Sequence, residues 1–411
     1  MKPTVLLAST SRWVSPARLA LALAQNGWTV DAVCPPLNPL TITHSIRQNF
    51  VYRGMRPLDA FQKALATSKP DLVIPCDDLS TMHLHQIFEQ ANPNEEYGRW
   101  LRGVLERSMG APANFPILYD RAAVLEIARA EGIRVPQTDV VPDWSALQAW
   151  IDRRGLPAVL KSNGTSGGDG VRIIRNLEEA EKSFRELQAP PVLARAVKRA
   201  LLDVDTTLLL PSITRKPYTV NAQSFVEGRE ATSAVAAWKG QVLASLHFEV
   251  LRQQYPGGPA TVLRLIDLPE MKLAAEKMVR ALGLSGLHGF DFMLENGTGH
   301  AHLIEHNPRA TQVGHLKLGP GRDLLAALQF AATGQEPGVA GAVTDKDIIA
   351  IFPHECLKNP TSEYLKSGYH DVPWEAPELV LACLRYGHKV NAWYSPQKWI
   401  DRYRDSRRSS T

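Results

Sequence analysis

Asp291, Glu305, Asn307 and Arg309 are the residues whose types and spacing most directly suggest chemistry. His288 to Leu294 and His300 to His306 read as paired strands, with Asn296-Gly297 in the turn. On a strand, side chains two apart share a face, so Glu305 and Asn307 point one way and His306 the other. With Asp291 opposite them, three oxygen ligands converge. Carboxylate and amide oxygens are what magnesium takes, together with phosphate oxygens and waters. The competing reading is a polar, solvent-facing side of a hairpin. Phe290, Phe292, Leu303 and Ile304 weaken it, because they make the strands look buried, and a buried carboxylate needs a partner or a metal. Arg309 would place a fixed cation beside this group, where charge develops on a phosphoryl group or a tetrahedral oxyanion. Its plain alternative is a surface arginine paired with an acid.

A second constellation begins at Lys161 and runs through Gly164, Thr165, Ser166, Gly167 and Gly168 to Gly170. Glycines let the backbone approach a ligand closely, and successive free N–H groups cradle phosphate oxygens. Lys161, at the end of a strand, would add a point charge. The lysine precedes the glycines, so this is not the GxxxxGK[ST] loop. A flexible hairpin loop would look the same. A third segment, Gln223-Ser-Phe-Val-Glu-Gly-Arg-Glu230, is an extended run ending in a glycine turn. Its backbone suits the edge of a purine, with Phe225 and Val226 making the pocket apolar; an ordinary strand end is the alternative.

The elements that must position these residues follow a two-part pattern. The first third alternates strand and helix: Val5 to Ala8, a helix capped by Ser15 with Pro16 at its first position, Thr29 to Cys34, a helix around Pro57 to Ala66, and Asp71 to Cys76. This rhythm argues a parallel sheet. Asp77-Asp78 follows the last strand, at a position where α/β folds place ligands, and helix capping is the expected role. Asp120 and Asp143 are expected to cap the next helices. From Ala158 the chain turns strand-rich, with a hairpin turn at Lys239-Gly240 and a helix over 269–282. The fold class expected is α/β plus α+β. A Rossmann-like domain spans 1–115, and a two-lobed unit spans 116–335, with a small first lobe over about 136–225 and a second over about 226–335. A C-terminal extension, 336–411, packs on the second lobe and ends in a basic tail.

The 411 residues exceed one ordinary core, and 44% apolar with 21% charged residues is a soluble globular balance. A net charge of +4, with acids and bases interspersed, gives no nucleic-acid patch. No run is long enough to span a membrane. The cysteines, Cys34, Cys76, Cys356 and Cys383, lack metal or redox spacing, so buried free thiols and a cytoplasmic location are expected. His288, His300, His306 and His315 are spread over both strand faces, which favours structural or surface roles over a zinc site.

The order of AVLKSNGTSGGDGV, AQSFVEGRE, YPGGPATV, GLHGFDFM and LIEHNPRA, from about Leu118 to Leu325, resembles the ATP-grasp superfamily, of the carbamoyl-phosphate synthetase and biotin carboxylase kind. The resemblance implies ATP and Mg2+ as cofactors, with two ions and Mn2+ as a substitute. It implies small-molecule carboxylate and amine substrates, no nucleic-acid or membrane partner, and a homodimer as a state to expect. Lys161 would touch the nucleotide, and the loop 164–170 would close over its phosphates. Gln223, Ser224, Phe225 and Val226 would form the adenine hinge, and Glu230 would lie near the ribose. Asp291, Glu305 and Asn307 would hold magnesium, and Arg309 would assist phosphoryl transfer. The Gly257, Gly258 and Thr261 loop resembles one near the acceptor substrate. One departure is Arg121, where the family usually has lysine; it keeps the charge with different geometry. The polar and aliphatic insert over 197–217, before the hinge strand, is a second oddity to which no function is assigned. The activity implied is a carboxylate–amine ligase working through an acyl-phosphate. A bicarbonate-activating carboxylase or carbamoyl-phosphate synthetase-like subunit and a non-catalytic nucleotide-binding protein stand as alternatives.

Overall fold

The computed structural model describes residues 2–163, 170–189, 218–335 and 341–392, with side chains in the last helix as far as Arg385. The insert over 197–217 and the basic tail lie outside the described residues.

The N-terminal elements are β1 (Thr4–Ala8), α1 (Ser15–Gln25), β2 (Thr29–Cys34), β3 (Ile46–Val51), α2 (Pro57–Ser68), β4 (Leu72–Pro75), α3 (Asp78–Gln90) and α4 (Glu96–Met109). The strands form a parallel sheet in the order β3-β2-β1-β4. β1 and β4 read as unbroken apolar runs because both of their faces are buried. Leu6 and Val73 face a core closed by α2, α3 and α4, while Val5, Leu7 and Ile74 face a second core. Ser15 does not cap α1. Val14 is already helical, at φ −78° and ψ −30°, and accepts the first helical N–H bonds from Ala17 and Arg18. The serine therefore sits inside the first turn.

Next comes α5 (Arg121–Ala130), whose Val124, Leu125 and Ala128 share a core with Met278, Phe290 and Phe292; the small lobe holds β5 (Thr138–Val140), α6 (Trp144–Arg154), β6 (Ala158–Ser162), β7 (Val171–Ile174), α7 (Leu177–Gln188) and β8 (Val220–Ser224). Asp120 and Asp143 cap α5 and α6 as their spacing suggests. The strands pair in the order β5-β8-β6-β7.

The large sheet follows, with β9 (Gly228–Trp238), β10 (Gln241–Gln253), β11 (Ala260–Leu265), α8 (Pro269–Ala281), β12 (Gly286–Glu295), β13 (Ala301–Asn307) and α9 (Leu324–Thr333). The turn joining β9 to β10 places Lys239 and Gly240 at φ +48° and +79°, the twist a tight hairpin needs. The C-terminal stretch adds β14 (Ile348–Ala350), α10 (His354–Lys358), α11 (Tyr364–Ser367), β15 (Tyr369–His370) and α12 (Pro377–Ala392). It does more than pack on the lobe: β14 and β15 complete the sheet, whose order is β13-β12-β9-β10-β11-β14-β15. Among the described residues no helix is long and apolar enough to cross a membrane. The cysteines are free thiols, three of them buried.

Two junctions lock the N-terminal domain to this sheet. At the end of α4, Ala111 donates its N–H to the Gly283 carbonyl at 2.9 Å. Gly110 there has φ +103°, and a Cβ on it would come within 2.3 Å of the Gly283 oxygen, so only glycine lets the backbones meet. The second junction is ionic. Arg18 of α1 pairs with Asp371, which lies just past β15, and His315 Nε2 sits 2.8 Å from the other Asp371 oxygen. Burial opposes ionisation of Asp371, but His315 and then Arg18 outweigh it and hold the carboxyl below its ordinary range.

Asp371→Asn leaves the buried Arg18 without its counter-ion. It should cost about 3–5 kcal/mol at neutral pH in denaturant unfolding. Because the folded-state pKa of Asp371 is depressed, its contribution is present above the unfolded carboxylate pKa and is lost as pH falls through the folded one. The gap between wild type and variant should therefore close on acidification. Equal stabilities at pH 7 would show that the pair holds nothing together.

Candidate active site

The pairing of β12 with β13 sets Asp291 opposite Glu305, next to a break in register between Asp291 and Phe292. Asn307 Nδ2 donates to Asp291 Oδ2 at 2.8 Å. On the other side, β9 brings Thr232, whose hydroxyl donates to Asp291 Oδ1 at 2.7 Å. Asp291, Glu305 and Asn307 therefore converge on one face, as alternation along the strands requires. His306 takes the opposite face, with Nε2 3.3 Å from His288 Nδ1. Burial pushes His288 down to about 4 and His306 further below the usual imidazole range, so both are neutral. His300 lies at the surface near Glu270, and His315 belongs to the Asp371 junction.

Cations from three parts of the chain meet these carboxylates. Arg121 opens α5, where Asp120 accepts from the N–H groups of Ala122 and Ala123, and its guanidinium reaches Glu305 at 2.6 Å. Lys161 comes from β6 of the other lobe. Leu160 beside it points into that lobe's core, so Lys161 points across the crevice, where Nζ donates to the Ile304 carbonyl at 3.1 Å. Desolvation lowers the Lys161 ammonium to about 8, with Glu305 pulling the other way. Arg309 donates from one terminal nitrogen to Asn307 Oδ1 at 3.1 Å and from Nε to Asp78 Oδ1 at 3.1 Å. Burial works against its charge, but Asp78, Asp291, Asp77 and Glu305 raise its pKa.

The two facing carboxylates share their protons unequally. Desolvation and then Glu305 raise Asp291 above its ordinary value. For Glu305 burial acts in the same sense, yet Arg121 and Lys161 overcome it and hold that group low. Glu230, further along the β9 face that carries Thr232, is raised by burial and by Asp291, and accepts from Gln253 Nε2 at 2.6 Å.

The other expected positions fall as follows. Gly164, Thr165, Ser166, Gly167 and Gly168 lie outside the described residues; on either side of them β6 and β7 pair antiparallel, with Ser162 N–H to the Gly170 carbonyl at 2.9 Å. Gln223 is buried in β8, and its amide donates to Thr138 Oγ1 at 3.0 Å. The Ser224 N–H donates to the Gln137 carbonyl at 2.8 Å. Phe225 and Val226 are half-buried on the link from β8 to β9, where one lobe passes into the other. Gly257 and Gly258 are tied to Gln253, whose side chain takes the Gly257 N–H and gives to the Gly258 carbonyl. Thr261 points away from the crevice: it is fully buried, and its hydroxyl donates to Glu355 of α10 at 2.6 Å.

Asp78, Thr232 and Gln253 belong to the site and were not singled out as parts of it. Alternation from Glu230 would have reached Thr232. Asp78 looked like a capping residue, but the cap of α3 is Asp77. Its Oδ1 accepts from the Ser80 N–H at 2.8 Å, and the carboxylate also accepts from the Thr10 N–H at 2.6 Å, the Ser11 N–H at 3.2 Å and the hydroxyls of Ser9, Thr10 and Ser11.

Asp291, Glu305 and Asn307 offer hard oxygen donors of the kind magnesium takes. Among the described residues no group of three or more His, Cys, Asp or Glu forms a metal cage.

An ATP-grasp domain family model matches residues 121–313. The arginine-specific carbamoyl phosphate synthase large chain of Geobacillus stearothermophilus is 22% identical over 309 residues, covering 72% of this chain and 27% of that one. The N-terminal section of the Aquifex aeolicus carbamoyl phosphate synthase large chain is 22% identical over 302 residues, 71% of this chain and 49% of that one. This chain thus spans half or less of the length of these curated relatives. Among solved structures, the biotin carboxylase domain of Hydrogenobacter thermophilus 2-oxoglutarate carboxylase, with MgADP and bicarbonate, superposes with TM-score 0.57 at 16% identity over 83% of this chain and 72% of that one. The Staphylococcus aureus N5-carboxyaminoimidazole synthetase, with ADP, gives 0.56 at 14% identity over 83% and 80%. The crevice chemistry, the matched model and the shared fold agree: the chain carries an ATP-grasp domain over residues 121–313.

Proposed function

We propose that this chain is an ATP-dependent carboxylate–amine ligase that forms an amide through an acyl-phosphate. The observation that supports it most is the meeting of Arg121, Lys161 and Arg309 with Asp291, Glu305 and Asn307 in one crevice between two lobes. A carboxylate oxygen of the substrate attacks the γ-phosphorus of ATP in line; the bond to the bridging oxygen breaks, and ADP leaves with the electron pair. The amine then attacks the acyl carbon, the C–N bond forms, phosphate departs, and the amine's proton passes to solvent. Arg121 and Lys161 bind phosphate oxygens, and Arg309 faces charge on the acyl-phosphate and on the tetrahedral oxyanion. Asp291, Glu305 and Asn307 would hold magnesium, which when bound neutralises charge on the phosphate oxygens. The segment 223–226 is the hinge that receives adenine, and Glu230 the group beside the ribose. Catalysis is positioning and electrostatics, without a covalent enzyme intermediate.

A second reading takes bicarbonate as the carboxylate. It is supported by the bicarbonate in the biotin carboxylase domain to which this fold is similar. Phosphate release across a panel of amino acids, other carboxylates and bicarbonate, with and without amines, separates the two by product mass.

Glu305→Gln should lower ATP-dependent product formation by about 10²-fold or more, since it removes a charge facing both the metal and Arg121. An unchanged rate in a variant that still folds would sink the assignment of the crevice as the active site. The second expectation concerns pH. Lys161 is depressed to about 8 in the ligand-free protein, so its charge is present below that value and lost above it. The kcat/KM for ATP, which reports groups of the free enzyme, should fall as pH rises through about 8. Lys161→Arg, whose charge does not titrate in this range, should flatten that limb. A limb of the same position in Lys161→Arg would assign the titration to another group.

A further inference from the structure

The loop that carries Arg309 leaves β13 of the large sheet, but its course is fixed by the N-terminal domain. Ala310 donates its N–H to the carbonyl of Pro75 at the end of β4, at 3.0 Å. Thr81, in the first turn of α3, donates its hydroxyl to the Pro308 carbonyl at 3.0 Å. Between these two fastenings, Asp78 accepts from Arg309 Nε. A guanidinium has one Nε–H, and it lies in the plane of the fork. Engaging it fixes both the plane and its rotation. One terminal nitrogen then donates to Asn307 Oδ1 at 3.1 Å and the other to the Ala310 carbonyl at 3.3 Å. The fork has five donors. Those not used by these acceptors are left for ligand oxygens.

No neighbouring acid does this work in place of Asp78. Asp77 is committed to Ser80 and to the loop of Ser9, Thr10 and Ser11. The other carboxylates acting on Arg309 are Asp291 and Glu305. Both lie in the group that would hold the metal, so an Arg309 released from Asp78 would be drawn onto them. Asp78 is the first residue of α3, where the unpaired N–H groups of a helix favour negative charge. Its side chain is 33% exposed and that of Arg309 21%, so the pair borders the crevice instead of lying deep in the core.

We propose that Asp78 is a positioning residue for phosphoryl transfer: it holds Arg309 by Nε, aims the fork at the transferring group and keeps it off Asp291 and Glu305. The N-terminal domain thereby completes the active site through one carboxylate. This inference rests on the ligase reading above.

The test uses the full chain with Asp78→Ala and Asp78→Asn, assayed with whichever carboxylate the panel identifies. Asp78→Ala should lower kcat about 10²-fold, as expected for misplacement of a catalytic group, with KM for ATP within about threefold. Asp78→Asn keeps an acceptor for Nε and should recover part of the loss. A merely structural role would lower the unfolding midpoint and leave kcat unchanged. A kcat for Asp78→Ala within about threefold of wild type overturns the proposal. A second readout does not depend on turnover: the Arg309 Nε–Hε resonance, assigned through Arg309→Lys, should shift and lose exchange protection in Asp78→Ala. An unchanged resonance overturns the contact itself. Wild type inactive on every carboxylate, with the resonance shifting as expected, would instead sink the ligase reading while the contact stands.

Discussion

Charge compensation in a partly desolvated crevice is the constraint on which the rest of this structure depends. Asp291 and Glu305 face each other across paired strands, and two carboxylates so placed cannot both ionise without a counter-charge. Arg121 meets Glu305 from α5, Lys161 enters from the opposing lobe, and Arg309 is bracketed by Asn307 and Asp78. Each cation comes from a different element, so the crevice is balanced only when the lobes and the N-terminal domain are in place together. A bound nucleotide triphosphate with its magnesium would enter a site where both signs of charge are already laid out. In the proposed reaction, electrostatic preorganisation would be the main contribution of the protein.

The scaffold reflects this demand. The N-terminal sheet shares a core with the large sheet, and Gly110 and Gly283 allow main-chain contact at the seam. The C-terminal stretch extends the large sheet by β14 and β15 and returns Asp371 to Arg18 at the start of the chain. The strands β12 and β13 that carry the candidate site are thus held at one end of a continuous sheet whose other end is tied to the N-terminal domain.

Much of the site was legible in the sequence, and for a local reason. Alternation with period two puts Glu305 and Asn307 on one side and His306 on the other, and a single hairpin places Asp291 opposite. Helix starts at Asp120 and Asp143 were equally readable, since a cap acts over three residues. What escaped depended on distance along the chain. Asp78 and Arg309 are 231 residues apart and Arg18 and Asp371 are 353 apart, and nothing in either local pattern names its partner. Thr261 sits in a glycine-rich context that suggests a ligand loop, but the tertiary fold turns it to Glu355. Ser15 had the residue type of a cap, and the backbone wound one residue earlier than the type implied.

The Asp77 carboxylate has a consequence for the mouth of the N-terminal sheet. In doubly wound sheets the mouth at the carboxyl ends of the strands is where ligands bind, and the loop after a strand offers N–H groups to an anion. In this chain the loop after β1 offers them to Asp77, a side chain of the same domain. A tethered competitor is always at high local concentration, so a diffusing phosphate or carboxylate would have to displace an anion that cannot leave. The mouth of the sheet is therefore self-liganded. The loop after β1 is thereby fastened to the start of α3, beside the contact that Asp78 makes with Arg309.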